Sequence, residues 1–422
     1  MSGAESEIVV GLDIGTTKVA AVVGEVDADG VTILGVGNVP CRGLRKGVVS
    51  NIEWTTRSIA EALDAAQTMA GAEIRTVYAG VSGSHIRCQT SDGVAAISSG
   101  KEVSADDVER VLEGARAIPI DADRQIIHVL PREFTVDNQD GIRDPIGMSG
   151  VRLGARVNLI TAATSPVQNL VRCAEKCGLS VADVVLEPFA SAEAVLSEDE
   201  KEIGVAVIDI GGGTTDLLLY VDGGIGHVSV IPVGGNNVTQ DIAAGLRTPL
   251  AEAERLKRNV GCALGRMVAD DEEIEVPGVG GHPARTAPRR LLSDIIEPRI
   301  EEIFAVIRNR IEDTGLLEQL SAGAVLTGGA VLMEGMTEFA EEILGMPVRM
   351  GTPVGVKGIT GLVNGPQFAT GVGLVLYGAS AIHEARGRTA VRREEPLVVT
   401  PRIEPKGRQS GGRLLDWIKA AF

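Results

Sequence analysis

Apolar residues along this chain follow two periods, and the switches between them outline its elements. Residues 207–210 and 217–221 are near-continuous aliphatic runs that read as buried strands, with Asp209 near the end of the first. Between them lies a turn, Gly211-Gly212-Gly213-Thr214-Thr215-Asp216. Residues 9–23 repeat this plan as strand, Asp13, Ile14, Gly15-Thr16-Thr17-Lys18 and returning strand, within a meander predicted over 8–40. A short core strand follows at 77–81, and strands are predicted at 133–137 and 151–161. Helical spacing marks 54–70, closed by Gly71, and a stripe of Val108, Val111, Leu112 and Ala115 behind a capping box of Ser104 and Asp107. Further helices are predicted after Ser165-Pro166 to about 178, from Pro188 to 196, over 238–244 and 249–260, and over a long apolar stripe, 291–311, that Pro298 should kink. The last ten residues change character again. Leu414, Trp417, Ile418, Ala421 and Phe422 fall on one helical face, with Leu415 at its edge.

Two copies of one hairpin imply a duplicated domain pair facing a shared cleft. The tips suit an anion. Glycine permits positive φ and close backbone approach, and the threonines add hydroxyl donors. In this reading Thr16 and Thr17 match Thr214 and Thr215, and the first loop, ending in Lys18, lacks two of the glycines. Asp209 and Asp216 would repel a bare phosphate, so they make chemical sense if a divalent cation sits between, held largely through its waters. Taken alone, the 211–216 loop has a second reading, a Gly-rich hairpin turn with capping threonines, and the second copy weighs against it.

Together with Val325-Leu326-Thr327-Gly328-Gly329-Ala330, the two hairpins resemble the phosphate and adenosine motifs of the actin, Hsp70 and sugar-kinase superfamily. Within it, residues 186–196, 325–336, 369–378 and the C-terminal stripe closely resemble the FtsA family of bacterial cell-division proteins. The resemblance implies an α/β fold of duplicated actin-like, ribonuclease-H-like domains facing a nucleotide cleft, with an inserted α+β subdomain and a C-terminal amphipathic helix. It implies ATP and Mg2+ as ligands. Gly15, Thr16, Thr17, Lys18, Gly211, Gly212, Gly213, Thr214, Thr215, Gly234, Gly235, Gly328 and Gly329 would lie at the nucleotide, with Asp13 and Asp209 toward the metal. Glu187 would orient an attacking water beside Asp209, unless it is a plain helix cap. Glu254 and Lys257 would approach ribose and base, unless they belong to a solvated charged face. Hydrolysis is expected to be slow at most.

The domains then run 1–82 and 164–202 for the first lobe, 83–163 for the insert, and 203–385 for the second lobe with an outer part at about 246–315. Residues 386–412, rich in Arg, Pro, Gly and Glu, read as a disordered linker, and 413–422 as a membrane-targeting helix using Leu414, Leu415, Trp417, Ile418 and Phe422. The alternative for that stripe is docking onto the chain's own core or a partner's groove. Lone His128 reads as structural.

Charge narrows the partners. A net charge of −17 argues against nucleic acid and against a general membrane-surface binder, so anionic partners must meet local patches. Five cysteines without an even framework read as reduced thiols, and no run approaches a membrane span. The family implies self-polymerisation, later division proteins, and the C-terminal peptide of the tubulin-like FtsZ. Arg285, Arg289, Arg290 and Arg299 offer such an acidic peptide a basic cluster. The expected site is the inner face of the cell membrane at the septum. The competing functions are a small-molecule kinase of the same superfamily and an actin-like adaptor of a pilus or secretion machine.

Overall fold

A computed structural model describes residues 6–98 and 102–394. The duplication is visible in its two main sheets. In the first lobe, strands Glu7–Ile14, Lys18–Asp27 and Gly30–Pro40 form an antiparallel meander, and Thr76–Val81 then Ser180–Leu186 add in parallel beside the first strand. In the second lobe, Val205–Ile210, Thr215–Val221 and Gly224–Ile231 form the same meander, joined in parallel by Ala324–Thr327 and Val348–Met350. The central strands read as continuous apolar runs because helices cover them; Val205–Ile210 and Thr215–Val221 are buried at every position.

Register corrects the alignment of the two hairpins. Asp13 pairs with Ala20 and Ile14 with Val19, while Asp209 pairs with Asp216 and Ile210 with Thr215. Each tip is closed by the same bond, Gly15 N–H to the Lys18 carbonyl and Gly211 N–H to the Thr214 carbonyl, both 2.9 Å. The loops are therefore equal in length. Thr16 and Thr17 correspond to Gly212 and Gly213, Lys18 to Thr214, and Ala20 to Asp216. Matching threonine to threonine, as the sequence invites, forces a gap that the hydrogen bonds do not have.

The helix Glu187–Val195 follows the strand Ser180–Leu186 directly, and it packs against the helix Ala369–Glu394 where a Cβ on Gly373 would overlap the Ala190 carbonyl. The second of these lies on the first lobe's sheet, where side chains at Gly11 and Gly378 would overlap the Gly371 carbonyl and the Tyr78 ring. It continues to Glu394, so residues 386–394 are helical where a linker was expected. The C-terminal stripe from Leu414 to Phe422 lies outside the described residues. Among the described residues no helix is long and apolar enough to cross a membrane.

Residues 87–163 form a separate four-stranded sheet with the helix Ala105–Arg116, whose capping box of Ser104 and Asp107 forms as expected. Its core of Val103, Val111, Phe134, Leu153 and Val157 is distinct from those of the lobes. Two helix starts differ from expectation. The helix Thr164–Glu175 begins before Ser165, its first N–H held by the Asp123 carbonyl, and Gly235–Leu246 begins at Gly235. The Gly/Pro loop after residue 276 is the tip of a hairpin, Glu273–Val276 with Arg285–Pro288, and the helix Arg289–Asp313 runs on through Pro298.

Candidate functional site

The two hairpin tips meet. A Cβ on Gly213 would stand 2.5 Å from Thr16 Oγ1, and one on Gly212 would overlap the Thr17 side chain. These glycines are therefore demanded by close approach across the cleft. Their backbone is not left-handed: none of Gly211, Gly212 and Gly213 has a positive φ, contrary to the expectation for a phosphate nest. Gly211 and Gly212 instead turn their carbonyls to the next segment, accepting from the N–H groups of Gly235 (2.9 Å) and Asn236 (2.8 Å). Thr214 is buried beside them, and the Thr215 hydroxyl donates to the Val233 carbonyl.

Behind the tips lies a cluster of carboxylates. Asp13, Asp209 and Asp216 are buried at 4%, 8% and 3% exposure, and Glu187 is half-buried as the first residue of its helix. Glu187 makes no capping bond, and a Cβ on Gly80 would meet its Cγ at 3.0 Å, so it lies over the end of a first-lobe strand. Asp209 accepts from the hydroxyls of Ser191 (2.7 Å) and Thr370 (3.3 Å). Asp216 accepts from Ser82 Oγ with both oxygens, at 2.7 and 2.8 Å, across the lobes. Lys18 forms an ion pair with Asp13.

This crowding shifts the proton equilibria. Burial, then repulsion by Asp13, Asp216 and Asp209, pushes Glu187 well above the usual carboxylate range, with Lys18 opposing. Burial and Asp13 raise Asp209 despite the Ser191 hydrogen bond. Burial and the facing Asp209 push Asp216 up to about 8 against the pull of Ser82. Four carboxyl groups crowd beside one lysine, and a divalent cation would relieve the cost of ionising them. Among the described residues no three acidic, His or Cys groups are grouped to hold a metal directly, so these donors fit a hydrated cation better than a dehydrated one.

On the other side of the second loop, Lys257 Nζ donates to the Gly235 carbonyl (3.0 Å), Thr239 Oγ1 (2.8 Å) and Glu254 (2.7 Å). Burial lowers the Lys257 pKa even against Glu254. Burial opposes ionisation of Glu254 as well, but attraction to Lys257 and the hydrogen bonds prevail and hold it below the usual range. The pair thus braces Gly235 from below, with Lys257 the more buried of the two at 11% side-chain exposure against 38% for Glu254. A Cβ on Gly235 would lie 3.4 Å from Ala330 Cβ, which brings the Gly328-Gly329 turn to the same wall. Gly328 has φ +91°, and a side chain there would overlap the Asp209 carboxylate, so this position requires glycine twice over. Gly329 faces more open space. Gly234 is extended and packs on the Gly211 carbonyl.

Sequence reasoning missed Ser82, Ser191 and Thr370, which orient the acidic groups; single hydroxyl residues at strand and helix ends carry no pattern. His128 is structural, as expected. Its Nε2 accepts from the Leu186 N–H at 3.0 Å, burial lowers its pKa to about 4, and it ties the insert to the residue before Glu187. The arginine cluster is corrected. Arg289 is paired with Glu272 and Glu334, Arg299 with Asp241 and Glu302, Arg290 with Asp294, and Arg285 donates to the Leu246 carbonyl. Three of the four charges are spent on neighbouring carboxylates, and Arg285 alone carries no ion pair among the described residues, so the four do not form a patch of free cations.

Comparison with known proteins places this geometry. The family model "Cell division protein FtsA" matches residues 206–373, and "SHS2 domain inserted in FTSA" matches residues 83–161. The chain is 49% identical to cell division protein FtsA of Pseudomonas aeruginosa over 373 residues, covering 88% of this chain and 89% of that one. It is 42% identical to the Escherichia coli K12 protein over 426 residues, 99% of each, and 40% identical to that of Bacillus subtilis over 375 residues, covering 88% of this chain and 83% of that one. Among solved structures, the PilM-PilN type IV pilus biogenesis complex matches with a TM-score of 0.62 at 20% identity, covering 88% of this chain and 98% of that chain. MreB5 of Spiroplasma citri bound to ADP matches with a TM-score of 0.53 at 14% identity, covering 92% and 98%. Those two likenesses establish the actin-like fold alone. The near full-length identity decides the family: this chain belongs to the FtsA family of bacterial cell-division proteins.

Proposed function

We propose that this protein binds ATP and Mg2+ between its two lobes, polymerises on the inner face of the cytoplasmic membrane, and tethers the FtsZ ring there while recruiting later division proteins. The observation that carries the nucleotide reading is the meeting of Thr16 and Thr17 with Gly212 and Gly213 above buried Asp13, Asp209 and Asp216. The backbone and hydroxyls of Gly15, Thr16, Thr17, Gly213, Thr214 and Thr215 would hold phosphate oxygens. The wall of Gly234, Gly235, Gly328 and Gly329, braced by Lys257 and Glu254, would hold the nucleoside. Bound Mg2+ would neutralise phosphate charge, with Asp13 and Asp209 binding its waters.

Glu187 is the candidate to orient an attacking water. Burial and the neighbouring carboxylates hold its pKa well above the usual carboxylate range. Phosphoryl transfer depends mainly on positioning and metal charge, so Glu187 would orient water more than abstract a proton, turnover is slow at most, and nucleotide state serves assembly more than chemistry. Attachment falls to the C-terminal stripe. A helix of ten residues binds a bilayer weakly, so stable attachment requires many tails in one polymer.

The test is co-sedimentation with anionic vesicles, comparing the full chain with one ending at Gly412, with and without Mg-ATP. Pelleting that needs both the last ten residues and nucleotide supports the reading. Pelleting of neither version overturns the membrane and polymer parts together.

A further inference from the structure

Among the described residues, the two lysines at the loops are both engaged. Lys18 is committed to Asp13, and Lys257 to Glu254 and two further acceptors. Yet the carboxyl groups behind the tips make the cleft hostile to a triphosphate, and a single divalent ion offsets only part of that charge. A second source of positive charge stands one residue away. The strands Leu44–Arg45 and Val48–Val49 form a small hairpin whose two-residue turn is Lys46 and Gly47, both with positive φ, at 51° and 76°. Such a primed turn matches strand twist and aims its tip sharply.

That tip is fastened to the first loop. Gly47 N–H donates to Thr16 Oγ1 at 3.1 Å, and the chain entering the hairpin is held by Cys41 N–H on the Thr17 carbonyl at 2.9 Å. A Cβ on Gly47 would stand 2.8 Å from the Ser82 carbonyl and 2.9 Å from Gly83 Cα. Thr16 Oγ1 therefore touches the hairpin on one side and Gly213 of the opposite loop on the other. Leu44 is buried and anchors the base, while Arg45 and Lys46 are exposed and have no ion pair among the described residues. In a protein of net charge −17, two uncommitted cations beside the meeting point of the loops are placed against the general field.

We propose that Arg45 and Lys46 bind the terminal phosphates of the nucleotide and set the preference for polyphosphate over nucleoside. This rests on the nucleotide reading above. Lysine on a four-carbon stem and arginine with its fork both reach beyond a turn this tight, and each charge-assisted contact is stronger than the hydroxyl contacts of the threonines.

The experiment is calorimetric titration of the full-length protein with Mg-ATP, Mg-ADP and adenosine. It compares wild type with Lys46→Asn, which tolerates the left-handed turn, Arg45→Gln, the double variant, and the control Lys46→Arg. The expected result is a loss of about 10-fold or more in ATP affinity for each charge removed, a smaller loss for ADP, unchanged adenosine affinity, and recovery with Lys46→Arg. Unchanged ATP affinity in the double variant overturns the proposal, as does an equal loss for adenosine, which would mark the hairpin as a structural support. Failure of wild type to bind any of the three overturns the nucleotide reading itself.

Discussion

Asp216 offers a test of the cleft's electrostatics that needs no ligand. Its carboxyl is 3% exposed, faces Asp209 across the strand pair, and is pushed up to about 8 from 3.8. A carboxyl whose folded pKa lies above its unfolded value binds more protons in the native state. Stability is then highest below the unfolded value, near 4, and falls as pH rises toward 8. At pH 7 the cost relative to an unshifted carboxyl is 1.36 kcal/mol for each of the 3.2 units between 3.8 and 7, or roughly 4 kcal/mol as an upper bound. Asp216→Asn mimics the protonated acid in shape, and Ser82 can donate to its oxygen as it now does to Asp216. The variant should therefore be more stable than wild type at pH 7 by up to ~4 kcal/mol, with the gap closing to under ~1 kcal/mol by pH 4. Urea unfolding at pH 4, 5, 6, 7 and 8, in EDTA and without nucleotide, measures this. An Asp216→Asn protein less stable than wild type at every pH, or one with an unaltered pH slope, would refute the reasoning and make Asp216 an ionised partner of Ser82.

Three further outcomes follow from named contacts. Replacing Gly373 with Val drives a side chain into the Ala190 carbonyl, so a loss of ~3 kcal/mol or more and a lowered Tm are expected; a thermal scan matching wild type counts against the helix crossing. Burial lowers His128 to about 4, so protonation destabilises the fold as pH falls below 6.5, by roughly 2 kcal/mol between pH 7 and 5; His128→Gln should flatten that part of the urea profile relative to wild type. Lys257→Met leaves Glu254 with only Thr239, and should weaken nucleoside binding while sparing most of the fold, which adenosine titration beside circular dichroism would separate.

Most of the strands and the duplication were legible because a buried strand and its turn are written locally. The apolar run of residues 207–210 and its glycines needed no partner to be recognised. Register was not legible, since a hydrogen bond such as Gly211 N–H to the Thr214 carbonyl leaves no trace in residue type, and threonine in both loops suggested a false match. The reason for the glycines was also hidden. Gly212 and Gly213 answer to Thr17 and Thr16, about 195 residues away, a constraint that no window along the chain contains. The arginines misled for the converse reason: Arg289 and Arg299 look like a patch in sequence, and only the fold brings Glu272, Glu334 and Asp241 to them.

The same distinction explains how the site works as a unit. Asp13 and Asp209 open their hairpins in equivalent positions, but their partners differ: Lys18 beside the first, Ser191 and Thr370 beside the second, and Asp216 where the first hairpin has Ala20. The first loop carries its own counter-charge and the second carries an excess. A divalent cation between the lobes would therefore be drawn toward the second, while a polyphosphate would be met from the first lobe, where Thr16, Thr17 and the Arg45-Lys46 hairpin stand. The asymmetry lies in side chains laid over a symmetric backbone. Ser82 reaches from the first lobe to Asp216 in the second, so the hydrogen bond to that carboxyl spans the cleft. A proton or a bound cation at Asp216 would act on this same hydrogen bond, the one through which Ser82 meets the second lobe's acidic pair.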